Sequence, residues 1–185
     1  MNIRPATIAD VDRCQRLDSS FVTNYIWHMD EVMRPNQIQV SFRRERVPRT
    51  MEMQDPRLKE DLFQVWQQSR CFLVAEEQGV VLGYLSMSVQ RQNWQGTIDQ
   101  LAVHRPYRRQ GIATMLLDGA ERWARGSELS GVMAVVQSKN DPVINLFPRR
   151  GFGFHGYIDG YFSNGDLGLV YSLPLRGVGP GVDSR

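Results

Sequence analysis

The stretch from Leu101 to Gln137 limits the fold more than any other part of the chain. It opens on the apolar run Leu101–Val103 and passes through the basic loop His104–Gln110. From Gly111 it continues with Ile112, Met115, Leu116, Ala120 and Trp123 on one helical face. It closes on "GVMAVVQ" (Gly131–Gln137), a run apolar at every position but its ends. Such a run suits a central strand, and a strand–helix–strand order places the two strands parallel in one sheet.

The segments around this unit supply the remaining elements. "MNIRPATIADVDRCQRLDSSF" reads as a short strand, a cap-competent turn at Thr7–Asp10 and a helix marked by Val11, Cys14, Leu17 and Phe21. "QIQVSFRRERVPRTMEM" alternates apolar residues on either side of Pro48, which predicts two strands or a long hairpin. "DPRLKEDLFQVWQQS" reads as a short helix, and Cys71–Val103 as three antiparallel strands with turns at Glu77–Gly79 and Asn93–Gly96. Asp141, Pro142 and Gly151 bound a further helix, and two strands near Phe154–Ile158 and Leu167–Leu173 close the sheet. The fold class is α+β (α/β mixed), with a mixed, mostly antiparallel sheet and helices on both faces. One domain over 1–175 is expected, with a flexible tail, "RGVGPGVDSR", over 176–185.

Composition narrows the function classes. Apolar residues make up 42% and charged residues 23% of the 185, ordinary globular usage. The longest apolar runs fall far short of the ~18 residues of a membrane span, and the start lacks a basic-then-apolar leader, so no membrane partner and a cytoplasmic location are expected. Cys14 and Cys71 have no CxxC spacing, which argues against a disulfide framework or a metal site. "FRRERVPR" (Phe42–Arg49) raises a nucleic-acid reading, with Phe42, Trp27 and Trp66 as stacking partners. The alternation of Ile38, Val40 and Phe42 instead places these arginines on the exposed side of a hairpin, and a net charge of +2 is small, so no nucleic-acid partner is expected.

The basic loop carries the chemistry. A helix beginning near Gly111 leaves its first amides without internal partners, and they converge on one spot. With Arg108 and Arg109 beside the positive end of the helix dipole, that spot favours a phosphate or pyrophosphate. Gly111 permits close backbone approach, and Ala113 keeps a bulky side chain away. The pattern is neither GxxxxGK[ST] nor GxGxxG.

From Thr97 to Phe152 the order of strand, R-x-x-G-x-A loop, helix, strand and N-x(5)-L-F-x-R-x-G-F resembles the GNAT superfamily of acetyl-CoA-dependent N-acetyltransferases. The downstream stretch is similar to the equivalent part of streptothricin acetyltransferases, including Trp123, Gln137, Asn140, Pro142, Asn145-Leu146 and Gly156–Asp159. The resemblance implies a bulged strand and a splayed parallel pair that holds the acetyl-CoA arm. It implies that Leu101, Ala102 and Val103 contact pantetheine, that Arg108, Arg109, Gln110, Gly111, Ile112 and Ala113 cradle the pyrophosphate, and that Asn140 and the Phe147 helix flank the cofactor arm.

An acceptor ammonium with a reference pKa near ~10.4 must lose a proton before attacking a thioester, at a cost of about 4–5 kcal/mol at pH 7. Asp99 lies two residues before Leu101, so simple alternation points both to one side, and Asp99 is the candidate base. Many members of the resembled family place a tyrosine acid where this chain has Phe147, which cannot donate. Tyr161 and Tyr157 are the remaining hydroxyl candidates, Tyr157 and Asp159 are candidates for acceptor recognition, and Asp166 is a further loop acid. His104 reads as structural or phosphate-facing. The expected activity is acetyl transfer to a primary amine, a streptothricin-like or polyamine acceptor being favoured over a protein N-terminus or lysine. A non-catalytic acyl-CoA binder is the alternative. The resemblance also implies a homodimer as one assembly, and the Tyr25–Arg57 insert is expected to wall the acceptor groove.

Overall fold

Thr7 and Asp10 set the first boundary of the fold. In the computed structural model, which describes residues 1–175, the Thr7 N–H and hydroxyl both donate to Asp10 at 2.8 Å and fasten the start of α1 (Ile8–Gln15). Arg4, on strand β1 (Asn2–Pro5), clamps the same buried carboxylate at 2.6 and 3.0 Å. The helix is shorter than its apolar spacing implies. Asp18 accepts the N–H and hydroxyl of Ser20 and turns the chain, so Leu17 falls outside the helix and Phe21 opens a strand. The tail over 176–185 lies outside the described residues.

The insert is a hairpin of two long strands, β2 (Phe21–Arg34) and β3 (Gln37–Met53), joined at Pro35-Asn36. Pro48 does not divide β3. Pairing jumps from Tyr25↔Arg46 to Thr23↔Met51, so residues 47–50 bulge opposite Asn24 and the missing proline N–H is not demanded. Beyond it, the expected single helix is two pieces, a 3-10 turn at Pro56–Lys59 and α2 (Leu62–Gln68). Each is capped by an aspartate: Asp55 accepts from the Arg57 N–H and Asp61 from the Phe63 N–H, both at 3.0 Å.

Strands β4 (Cys71–Glu77), β5 (Val80–Gln90) and β6 (Gln95–Val103) follow as the antiparallel meander the alternation predicts. Then come α3 (Ile112–Gly126), β7 (Gly131–Gln137), α4 (Asp141–Arg149), β8 (Gly153–Ile158) and β9 (Gly168–Pro174). The seven-stranded sheet runs β1-β4-β5-β6-β7-β9-β8 and is antiparallel except for the β6–β7 pair. Both sheet faces are covered. α1 and α2 bury Val11, Cys14 and Leu62 against Phe72, Val74, Tyr84 and Ala102 on one side. α3 and α4 bury Leu116, Leu117, Ala120, Ile144 and Phe147 against Leu85, Met87, Ile98 and Val136 on the other.

Candidate active site

The parallel pair separates after four rungs. Gln95–Ile98 of β6 pair with Gly131–Ala134 of β7, and beyond Ile98 and Ala134 the two strands share no register. A wedge opens between Asp99–Val103 on one arm and Val135–Gln137 on the other, leaving the β7-facing edge of Leu101–Val103 unpaired.

The wedge begins at a bulge. Met87 of β5 pairs with Ile98 and the preceding Ser86 pairs with Gln100, so Asp99 is an extra residue without a partner. This resets the alternation. Ile98 and Leu101 both pack in the core on the α3 side, whereas Gln100 turns to the α1 and α2 side, where it accepts from the Tyr84 hydroxyl at 2.8 Å. Asp99 lies on that side too, accepting the Ser88 hydroxyl at 2.9 Å. The expectation that Asp99 and Leu101 share a side is therefore wrong, because alternation does not survive the extra residue. Burial pushes the Asp99 carboxyl above its ordinary value, opposed by the Ser88 hydrogen bond and the positive charge of Arg57.

Arg57 is a residue that the sequence pattern does not flag. Its guanidinium holds Asp55 bidentately at 3.0 and 2.6 Å, donates to the Val135 carbonyl at 3.0 Å, and lies 5.0 Å from the Phe162 ring centre. Its own carbonyl accepts from the Gln100 amide at 2.6 Å. Arg57 thus reaches both arms of the wedge, and its charge is felt by Asp99 and Tyr161. The one sequence signal is the Asp-Pro-Arg triplet, whose aspartate both caps the turn and pairs with the arginine.

At the far end of β6 the loop takes the shape its glycine implies. Arg109 and Gly111 have φ of +63° and +82°, and nothing lies within 4 Å of where a Gly111 side chain would begin. As N-cap, Gly111 precedes Ile112, Ala113 and the next residue, whose amides have no acceptor within α3. These amides and the open approach fit a pyrophosphate. Of Arg108 and Arg109, only Arg109 is exposed, together with Gln110. Arg108 turns inward and donates to the carbonyls of Val103 at 2.9 Å and Asp18 at 3.4 Å, so it braces the loop against the strand. His104 accepts the Asp18 N–H at 3.1 Å through Nδ1 and is structural.

The other candidates fall in three places. Asn140 caps α4, its Oδ1 accepting from the Val143 N–H at 3.4 Å; Asp141, read as the cap, is the first helical residue. Phe147 is only 2% exposed, stacked on Phe152 at 4.8 Å and edge-on to Tyr171. Tyr161 is 40% exposed on the β8–β9 loop, while the Tyr157 hydroxyl donates to Glu31 of the hairpin at 3.2 Å. Asp159 lines a cleft of about 210 Å³ with Trp27, His28, Ser138 and Lys139. Asp166 is not a solvated loop acid: it is buried, paired with Lys139 and Gln137, and accepts from the Asn164 amide at 3.0 Å.

The hairpin walls this cleft. Arg44 pairs bidentately with Asp141 at 2.7 and 2.8 Å and lies 3.5 Å over the Tyr25 ring, while the Trp27 N–H bonds the Ser138 carbonyl. Phe42 packs edge-on to Phe154 and Tyr157. The rings and the Arg44 charge invoked for nucleic-acid stacking are engaged within the fold, and Arg43 pairs with Asp30 at 2.9 Å. A larger hollow of about 590 Å³, beside Pro5, Trp66 and Phe72, contains none of the candidate residues. Among the described residues no helix is long and apolar enough to cross a membrane, and no cluster of three or more metal-ligating side chains is present.

A mixed sheet split between two parallel strands, with an amide-lined helix start at the end of the wedge, defines a domain of the acyltransferase class. The chain belongs to the acetyltransferase (GNAT) family, whose model matches residues 38–154. It is 29% identical over 110 residues to streptothricin acetyltransferase of Streptomyces lavendulae, covering 57% of this chain and 58% of that one. It is 31% identical over 104 residues to N-alpha-acetyltransferase 60 of Drosophila melanogaster, covering 53% and 38%. The chain thus spans about half the length of these relatives. Among solved structures, a nourseothricin acetyltransferase superposes with a TM-score of 0.80 at 20% identity, over 95% of this chain and 98% of that one. A putative streptothricin acetyltransferase from Bacillus anthracis, solved in complex with acetyl coenzyme A, superposes with a TM-score of 0.75 at 19% identity, over 94% and 99%.

Proposed function

We propose that this chain moves an acetyl group from acetyl-CoA to a primary amine by direct attack, and that the acceptor is a small cationic amine. The observation that carries the reading is the placement of Asp99 at the bulge where the wedge opens, on the side opposite Leu101. In this reading Leu101, Ala102 and Val103 pair with the pantetheine arm along their free edge, while the amides of the Gly111 loop and exposed Arg109 hold the pyrophosphate. Asn140 and the α4 helix flank the arm.

Asp99 takes the proton that the acceptor ammonium must lose, directly or through a water. Its burial raises its proton affinity and brings it nearer the working range of a base. The amine nitrogen then bonds to the acetyl carbon, a β6 backbone amide steadies the oxyanion, and the carbon–sulfur bond breaks. The departing thiolate, with a reference pKa near ~8.5, regains its proton from water or from Tyr161. Phe147 has no proton to give.

Charge around the mouth supports a cationic acceptor. Asp55, Asp99 and Glu60 together outnumber the single cation Arg57 there, so the mouth keeps a net negative charge, and Glu60 is near enough to oppose ionisation of Asp99. Asp159 and Glu31 add acidic groups at Tyr157 on the other wall. The names of the relatives add both acceptor types, antibiotic and protein N-terminus, as the choices to separate.

The test is acetyl-CoA-dependent thiol release by the purified chain against streptothricin, aminoglycosides, polyamines and short peptides with free or blocked N-termini. Turnover on streptothricin or another small amine is the expected result. Turnover on free-N-terminal peptides alone moves the reading to protein acetylation, and acetyl-CoA binding without turnover on any member overturns the small-amine acceptor and leaves another acceptor or a non-catalytic acyl-CoA binder.

A further inference from the structure

Arg57 does more than fill space in the wedge. Its carbonyl is held from β6 by Gln100, itself bonded to Tyr84, and its guanidinium is held from β7 by the Val135 carbonyl. The Asp55 carboxylate fixes the guanidinium plane, and the Phe162 ring covers it. These contacts come from four separate segments of the chain. A guanidinium held this way keeps its charge and cannot swing into solvent.

We infer that Arg57 is a positioning residue of the proposed transfer: it braces the two splayed strands and holds a fixed positive charge near Asp99, so that the carboxylate stays ionised in a partly buried site. The inference rests on Asp99 being the proton acceptor, and adds a residue that the shared motifs of the wedge and loop do not contain. The groups facing Asp99 are few. Ser88 donates to it from β5, Arg57 approaches from the 3-10 turn, Glu60 opposes from the end of that turn, and Tyr161 stands across Arg57 on the β8–β9 loop. Desolvation and Glu60 favour the protonated carboxyl; Ser88 and Arg57 favour the carboxylate. Arg57 is the only cation in that set.

Removing the cation removes the one opposite charge in reach. An opposite charge favours the carboxylate, so its loss moves the carboxyl pKa up. Arg57→Met keeps the stem and loses the charge, Arg57→Gln keeps a donor for Val135, and Arg57→Lys keeps the charge while losing the bidentate fork.

The experiment is a carbon-detected NMR titration of the Asp99 carboxyl in the full chain without acetyl-CoA, the resonance being assigned by its loss in Asp99→Asn. The expected result is a resolvable upward shift in Arg57→Met and Arg57→Gln, with Arg57→Lys close to the parent. An unchanged Asp99 titration in folded Arg57→Gln overturns the inference. Because this readout needs no acceptor, it succeeds or fails independently of the amine panel. Where an acceptor is in hand, the acid limb of kcat/KM moves to higher pH in Arg57→Gln by the same amount; a drop in rate with an unmoved limb means a purely structural brace and also overturns it.

Discussion

The Asp99 carboxylate accepts the Ser88 hydroxyl at 2.9 Å, and Asp99 itself has no partner across the β5–β6 ladder. The bond fixes the carboxylate at the point where β7 leaves β6, and burial there raises its proton affinity. Asp99→Asn keeps the shape and removes the proposed base. It is expected to lower turnover by ~10²-fold or more while leaving acetyl-CoA affinity unchanged. Steady-state kinetics and calorimetry on the same preparation check both halves, and an unchanged turnover removes Asp99 from the mechanism.

The same burial has a thermodynamic side. A carboxyl whose folded value is raised contributes stability while protonated, and that contribution is lost as pH rises through the folded value. At neutral pH the ionised Asp99 is therefore a destabilising group, as a base held ready in the proposed mechanism would be. Asp99→Asn should raise the melting temperature at pH 7–8, with the gain vanishing below pH ~4, where both chains are neutral at this position. Calorimetric scans at the two pH values decide it, and a lower melting temperature at pH 8 contradicts the desolvation account.

The strand–helix–strand unit was legible in the sequence because its signals are local: apolar strands, a helical face, and a glycine before the helix. The side on which Asp99 lies was not, because a bulge is a property of two paired strands. Nothing within Gln95–Val103 states that Ser86 skips it. Arg57 was hidden for a similar reason, since the Val135 carbonyl it meets is 78 residues away. The first arm of the hairpin escaped because His28, Asp30 and Glu31 break its alternation, and of its apolar residues Val22 and Val32 are exposed while Trp27 packs against the main core.

At Gly111 the requirement is conformational and not steric. Its φ of +82° lies in the left-handed region, yet a Cβ there meets nothing within 4 Å. Gly111→Ala should cost about 1 kcal/mol of stability from backbone strain alone. If the loop amides hold the pyrophosphate, it should also weaken acetyl-CoA binding at least several-fold. Denaturant midpoints and calorimetry check the pair, and loss of stability with unaltered affinity places the pyrophosphate elsewhere.

The hairpin is fastened to the domain at Asp141. Burial pushes that carboxyl up, but the Arg44 guanidinium more than compensates and holds it below the ordinary value, with Asn145 and Trp27 assisting. Arg44→Met leaves the buried carboxylate without its charge partner. The expected outcome is a lower melting temperature and faster proteolysis within 21–53, since the docked arm is then held mainly by Phe42 and the Trp27 backbone bond. Limited proteolysis followed by mass mapping reads this directly; an unchanged cleavage pattern means that Arg44 contributes little to docking.

Acid should destabilise the chain through Asp10, which is 1% exposed. Its hydrogen bonds from Arg4, then those from Thr7, outweigh burial and hold it far below the usual carboxylate range. A depressed carboxyl contributes stability that is complete above the unfolded value, near ~3.9, and is lost as pH falls toward the folded one. Asp10→Asn removes that charge pairing at every pH. Urea unfolding at pH 7, 5, 4 and 3 should therefore show the variant less stable by about 2 kcal/mol at pH 7 and the two curves converging toward pH 3. A deficit that stays constant down to pH 3 would mean that Asp10 acts through packing and capping, with the Arg4 charge pair contributing nothing.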